Sequence, residues 1–452
     1  MSASATHWSE RPRAMAHSLV PTMPAHHRGP LLAALAALAL VAIVPGCGAK
    51  TGLYVPDSGV DAANVSDAGP DSSVDAGPIP CVIIEPDPDG GLIELPLDTE
   101  VQLGRADVAF LIDTTASMTQ EIEQIRRDLR DRIVPGIRAA IPDAQLAVAT
   151  FADFPAPVCG YGELDDNPFR LVLPSTEDIP RVQSALNSLM LGNGRDEPES
   201  QVEALYQLAT GEGLGRYVPA SFGCAAGGFG YPCFRTDALP VVIMVTDAPF
   251  HNGPRGAEPY DCRADLDVEP HSYNDAVTAL DAGGIRAIGL YSGPGGGQGF
   301  GHLQQLAVDT DATDSGSPLV FDIGTRGERL TDSVIRAIET LASVIVMDID
   351  TFLVDPDPLD GFDPRELVIA VVPVRAEPMD GIDSIDFDAN TFRGVRTGTR
   401  VVFQLQLRTD IPREWGPRRV RLEVVFRGDG RTRIGSRLVE LVLPGDDELE
   451  CP

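Results

Sequence analysis

The chain has 452 residues, 43% hydrophobic and 23% charged, which is too long for one ordinary domain and apolar enough for substantial cores. Asp and Glu number 67 against 35 Lys plus Arg, a net charge of −32, and Lys50 is the sole lysine. A surface this acidic attracts cations and repels phosphate backbones, and no concentrated basic patch offsets it, so nucleic acid is excluded as a partner.

The N-terminal part reads as an address. Leu31–Val44 is an uninterrupted apolar run preceded by His26, His27 and Arg28. It falls short of the roughly 20 residues of a bilayer span and suits the hydrophobic region of a signal peptide. Val44-Pro45-Gly46-Cys47 closes it and resembles a bacterial lipobox, which implies cleavage before Cys47, lipidation of that thiol and a membrane attachment through lipid only. Gly48 in the next position favours the outer membrane. Residues 1–46 are therefore expected as signal peptide and 47–80 as a disordered acidic tether rich in Asp, Ala, Gly and Pro. Residues 81–104 follow as a lead-in segment. In an exported chain the six later cysteines, Cys81, Cys159, Cys224, Cys233, Cys262 and Cys451, suggest disulfides. Sequence leaves the connectivity open; the favoured pairing is Cys224–Cys233, Cys159–Cys262 and Cys81–Cys451.

From residue 105 to 346 apolar runs alternate with amphipathic ones. Strands are expected at Asp107–Ile112, Gln145–Phe151, Val241–Val245, Ile285–Leu290 and Leu319–Phe321, with a short edge strand at Phe169–Leu173. Helices are expected at Glu121–Arg132, Asp178–Leu189, Gln201–Ala209, Tyr273–Asp281, Leu303–Val308 and Thr331–Val344. Strands alternating with helices imply a doubly wound, mostly parallel α/β sheet, whose ligands sit past the carboxyl ends of the strands. Residues 347–452 lose the helical period and read as a smaller β-sandwich-like domain.

Two strand ends carry chemistry. Asp113-Thr114-Thr115-Ala116-Ser117 follows the first strand, and Thr246-Asp247-Ala248-Pro249-Phe250-His251 follows the Val241–Val245 strand. One carboxylate and two hydroxyls on a tight turn, with a second carboxylate from a neighbouring loop, offer the hard oxygens a six-coordinate Mg2+ or Mn2+ requires, with Ca2+ as an alternative. The stretch resembles a von Willebrand factor type A (VWA) domain with its metal-ion-dependent adhesion site (MIDAS), and is most similar to the hemicentin-like subgroup with Asp-Thr-Thr-Gly-Ser-Met; here the motif is Asp113-Thr-Thr-Ala-Ser-Met118. The subgroup's second loop, Gly-Gly-Gly-Asp-x-Pro-Glu, is matched by Gly192-Asn193-Gly194-Arg195-Asp196-Glu197-Pro198-Glu199. The resemblance implies a Rossmann-like fold and a metal held by Asp113, Thr115, Ser117, Asp196 and Asp247. Asp153, Glu199 and His251 are expected in supporting positions.

No nucleophile–base pair is recognisable: a Gly-x-Ser-x-Gly elbow is absent, and Thr313–Pro318 lacks the partners of a protease motif. The expectation is a non-enzymatic adhesion or ligand-binding lipoprotein of the bacterial envelope that grips an acidic protein or polysaccharide group through the metal. The alternative is a structural envelope scaffold whose metal site is vestigial or only stabilising.

Overall fold

The computed structural model describes residues 79–224, 227–262, 266–444 and 451. The expected signal segment, the lipidation site Cys47 and the acidic tether lie outside these residues. The described chain opens with β1 (Cys81–Ile83) and β2 (Leu92–Glu100). An alternating run follows: β3 (Arg105–Asp113), α1 (Thr119–Asp128), α2 (Val134–Ala140), β4 (Asp143–Phe151), β5 (Arg170–Thr176), α3 (Ile179–Asn187), α4 (Gln201–Thr210) and β6 (Leu239–Thr246). It continues through α5 (Tyr273–Gly283), β7 (Arg286–Tyr291), α6 (Gln298–Asp309), the small hairpin β8 (Thr313–Asp314) and β9 (Ser317–Pro318), β10 (Val320–Asp322) and α7 (Leu330–Val344). The strands that follow, interrupted by short 3-10 turns, are β11 (Val346–Val354), β12 (Val368–Glu377), β13 (Ser384–Asp386), β14 (Thr391–Arg396), β15 (Arg400–Arg408), β16 (Arg418–Gly428) and β17 (Thr432–Leu443).

The first large sheet has the order β10-β7-β6-β3-β4-β5, with every neighbouring pair parallel except β4 and the edge strand β5. Its central strands are buried along their length because they carry almost no polar residue; β6 reads Leu-Pro-Val-Val-Ile-Met-Val-Thr. Alternate strand residues face opposite layers. Val108, Phe110 and Ile112 pack with Ile122 and Ile125 of α1, Val182 and Leu186 of α3 and Val334 and Ile338 of α7. Ala109, Leu111, Val242 and Met244 pack on the other side with Leu205 and Leu208 of α4, Leu280 of α5 and Leu303 of α6. Helix ends are set locally: Ser272 and Asp275 form a capping box at the start of α5, and Gly284 at φ +63° terminates it.

The C-terminal strands form two sheets, β1-β17-β16-β11-β14-β13 and β12-β15-β2. They meet through aromatic side chains, Phe403 lying 5.0 Å from Phe392, edge to face, and 5.8 Å from Phe426. Residues 81–104, expected as a lead-in, instead supply an edge strand to each of these sheets: β1 pairs parallel with β17, and β2 pairs with all of β15. The core of the C-terminal sheets runs without a break into the layer holding α1, α3 and α7.

Three disulfides form, Cys81–Cys451, Cys159–Cys262 and Cys224–Cys233. They place the folded chain in an oxidising, extracytoplasmic compartment. Among the described residues no helix is long and apolar enough to cross a membrane.

Candidate metal centre

Strand order fixes where the candidate residues meet. From β3 the chain continues to β4 on one side and returns later to β6 on the other. This makes the β3/β6 edge a topological switch point, where a cleft opens beyond the strand ends. Asp113 is the last residue of β3 and Thr246 the last of β6, and the register sets Ile112 opposite Val245. Asp153 stands two residues beyond β4. A cleft of about 510 Å³ lies over these ends and is lined by Thr115, Ser117, Asp196, Glu199, Asp247 and Tyr291 among others.

The first group of oxygens is tied together by hydroxyls. Asp113 is fully buried. Its Oδ1 accepts from the Thr115 backbone N–H at 2.9 Å and from the Thr115 hydroxyl at 2.7 Å, and its Oδ2 accepts from the Thr246 hydroxyl at 2.8 Å. Thr115 Oγ1 lies 3.1 Å from Ser117 Oγ, which donates to Asp247 Oδ1 at 3.2 Å. Burial pushes the Asp113 carboxyl up to about 7, and the Asp247 charge adds to it. Burial raises Asp247 as well.

The second loop is pinned to both neighbours. Gly192 N–H donates to Thr114 C=O at 2.8 Å, and Glu199 pairs in a parallel bridge with Phe250, with its N–H on Pro249 C=O and its C=O accepting from His251 N–H. Gly194 takes the turn at φ +63°, where a Cβ would stand 3.3 Å from Glu199 Oε1 and 3.4 Å from Thr115 Cγ2. Glu199 therefore lies against the Asp113 turn. Its carboxyl, 3% exposed, is raised well above its ordinary value by burial and then by Asp113, Asp153, Asp196 and Asp166.

Asp196 does not join the hydrogen-bonded set around Asp113. Its Oδ2 lies 3.3 Å from His251 Nε2, and Asp153 Oδ2 lies 3.5 Å from the same nitrogen. All of the expected five except buried Asp113 line one cleft, but their hydrogen bonds form two groups. Asp113, Thr115, Ser117 and Asp247 come together directly, while Asp196 joins Asp153 and His251. Burial pushes Asp153 up to about 7 against the pull of His251. For His251 burial acts downward, but the hydrogen bond to Asp196 and the charge of Asp153 outweigh it and raise the imidazole.

Sequence reasoning missed Thr246, Tyr161 and Tyr260. Thr246 was within a recognised motif, but its role depends on the register of β6 against β3. Tyr260 donates to Asp153 Oδ1 and stacks on the His251 ring at 4.0 Å, while Tyr161 meets that ring edge-on at 5.1 Å. Both lie near the Cys159–Cys262 disulfide, and Cys262 N–H donates to the Tyr161 hydroxyl at 2.9 Å. The two tyrosines and two cysteines were legible as residue types, but nothing in their spacing pointed to His251.

The donor chemistry fits a hard divalent cation. Asp113 is satisfied by two hydroxyls and a backbone N–H, not by a basic side chain, and Arg195 in the same cleft pairs with Glu163. One oxygen of buried Glu199 has no hydrogen-bond partner. Carboxylates converging without a cationic side chain among their hydrogen-bond partners supply the negative field such an ion neutralises.

No family model matches the chain, and no curated protein matches it. Among solved structures it is similar, at a TM-score of 0.30 and 13% identity, to proximal thread matrix protein 1 from the mussel byssus, over 54% of this chain and 47% of that one. It is similar at the same TM-score and 11% identity to the pilus adhesin SpaC from Lactobacillus rhamnosus GG in its open conformation, over 76% of this chain and 45% of that one. The chain thus spans just under half the length of each.

Proposed function

We propose that the chain is a lipid-anchored binding protein of the bacterial envelope, of the VWA type, that holds Mg2+ or Mn2+ at the ends of β3 and β6 and through it grips an acidic protein or polysaccharide partner. The observation that carries this reading is the chain of oxygens Asp113–Thr115–Ser117–Asp247, assembled from two loops at a strand switch point and opening into a cleft. Asp113, Thr115, Ser117 and Asp247 would hold the ion. When bound, it supplies positive charge and an open coordination position for a partner's carboxylate. The protein's own contribution is orientation. Thr246 fixes Asp113, the Thr115 backbone N–H holds the turn closed, and α1 directs its positive N-terminal end toward the same turn. Turnover is not part of this reading, in which the ion serves only to bridge the protein and its partner.

Calorimetric titration of the purified protein with Mg2+ and Mn2+ tests the site. Asp113→Ala and the milder Ser117→Ala should each weaken binding at least about tenfold. Affinity unchanged in both variants would sink the metal-site reading. Capture of envelope components with and without EDTA then separates binding through the ion from scaffolding, because capture indifferent to chelation points to the scaffold.

A further inference from the structure

We infer that Asp153, Asp196 and His251 form a second cation site built for a transition metal such as Zn2+, distinct from the Asp113 group. His251 carries the argument. Its Nδ1 lies 2.9 Å from the Glu258 carbonyl oxygen, which can only accept, so Nδ1 bears the hydrogen. Whenever the ring is neutral, the Nε2 lone pair points at two carboxylate oxygens, Asp196 Oδ2 at 3.3 Å and Asp153 Oδ2 at 3.5 Å. Three acceptors facing one another repel unless a cation stands among them.

A proton on Nε2 would be one such cation. Both contacts, however, are longer than the roughly 2.7–2.9 Å of a charge-assisted hydrogen bond. Asp153 Oδ2 and Asp196 Oδ1 are buried without a hydrogen-bond partner. A single proton leaves these oxygens unsatisfied; a metal ion engages several at once. With metal–ligand bonds near 2.1 Å, the ligand atoms of a tetrahedral Zn2+ stand roughly 3.4 Å apart, close to the spacings observed. One ligand atom from each of Asp153, Asp196 and His251 lies within 4.8 Å of the others.

The surroundings resemble those of a ligand shell held in advance. Asp153 is fully buried, and its Oδ1 is occupied by the Tyr260 hydroxyl and by the Phe154 N–H at 2.7 Å, leaving Oδ2 turned to the site. Glu258 fixes the imidazole tautomer, and Tyr260 and Tyr161 hold the ring. Asp196, with a side chain 32% exposed, lines the cleft and gives an ion a way in. An imidazole among carboxylates suits Zn2+ better than Mg2+, which prefers all-oxygen shells.

The test is calorimetric titration of the full protein with Zn2+ in excess Mg2+, so that the Asp113 group is already filled. Wild type should bind one Zn2+, and His251→Ala and Asp153→Asn should each weaken it at least about tenfold. Mg2+ binding retained in those variants shows that they fold. Asp113→Ala should lose Mg2+ and keep Zn2+ within about twofold. Should His251→Ala fail to fold, His251→Gln, read by the visible absorption of bound Co2+, answers the same question. No Zn2+ uptake by wild type, or equal uptake by the His251 and Asp153 variants, overturns the second site. Absence of Mg2+ binding with Zn2+ still held through His251 overturns only the proposed function and leaves this site standing.

Discussion

Asp113 and Asp153 make the candidate centre costly to the fold when no cation is bound. Each is fully buried, and each carboxyl is pushed up to about 7 from an ordinary value of 3.8, chiefly by burial. Between roughly pH 4 and 7 the folded state therefore holds protons that the unfolded chain has released, so stability falls as pH rises through that interval, by up to about 1.4 kcal/mol per pKa unit for each group. In chelator, the urea midpoint should be higher at pH 5 than at pH 8, and saturating Mg2+ should reduce the difference. Asp113→Asn should flatten the chelator profile and raise stability at pH 8 while losing the cation; an unaltered slope in that variant would refute the assignment. The Asp113 turn was legible in the sequence because its donors fall within five residues. The Asp153–Asp196–His251 group was not, because its members are brought together by strand order across separations such as the 55 residues between Asp196 and His251.

At the scale of elements, the sequence revealed strands wherever a run was apolar throughout, as in β3, β4 and β6. It missed β2, whose Leu-Ile-Glu-Leu-Pro-Leu-Asp-Thr-Glu alternates too weakly to declare itself and whose partner β15 lies some three hundred residues on. The expected helix Glu121–Arg132 also divides. A π-helical turn at Leu129–Ile133 separates α1 from α2, and Pro135, which has no N–H to donate, sits in the first turn of α2. The strand that positions the site is anchored at its far end by charge. Asp107 of β3 is fully buried and is held by Arg235, whose guanidinium also takes Asp143 Oδ1 at 2.8 Å and Asp143 C=O at 3.0 Å. Burial raises the Asp107 carboxyl even with the arginine opposing it. Arg235→Ala leaves this acid unpaired and should lower stability by about 3–5 kcal/mol. Arg235→Ala combined with Asp107→Asn should recover a large part of that loss. Urea denaturation of the single and double variants checks both; an additive double variant would contradict the pairing.

For the molecule as a whole, the long acidic excess and the late strands take on different meanings. Acids on the C-terminal sheets pair with arginine, as Asp350 does with Arg427 and Asp386 with Arg393, whereas Asp113 and Asp247 at the β3 and β6 ends are held by hydroxyls and backbone N–H groups. The C-terminal strands do not hang from the α/β layer. Their sheets borrow β1 and β2 from the N-terminal side, and hydrogen bonds such as Arg433 N–H to Asp237 C=O at 2.8 Å join the parts. Cys81–Cys451 completes the closure, spanning 370 residues. A crosslink across so long a loop restricts the unfolded chain strongly, so Cys81→Ser with Cys451→Ser should lower the unfolding free energy by about 2–5 kcal/mol. The folded state should change only locally. β1 is three residues long and among the described residues pairs only with β17, whereas β2 keeps its nine-residue register with β15. Amide exchange should therefore quicken at Cys81–Ile83 and leave the Asp113 turn and the Mg2+ affinity unaltered. Equal denaturation midpoints in the variant and wild type would show that β2 and the continuous core, rather than the crosslink, hold the two ends together.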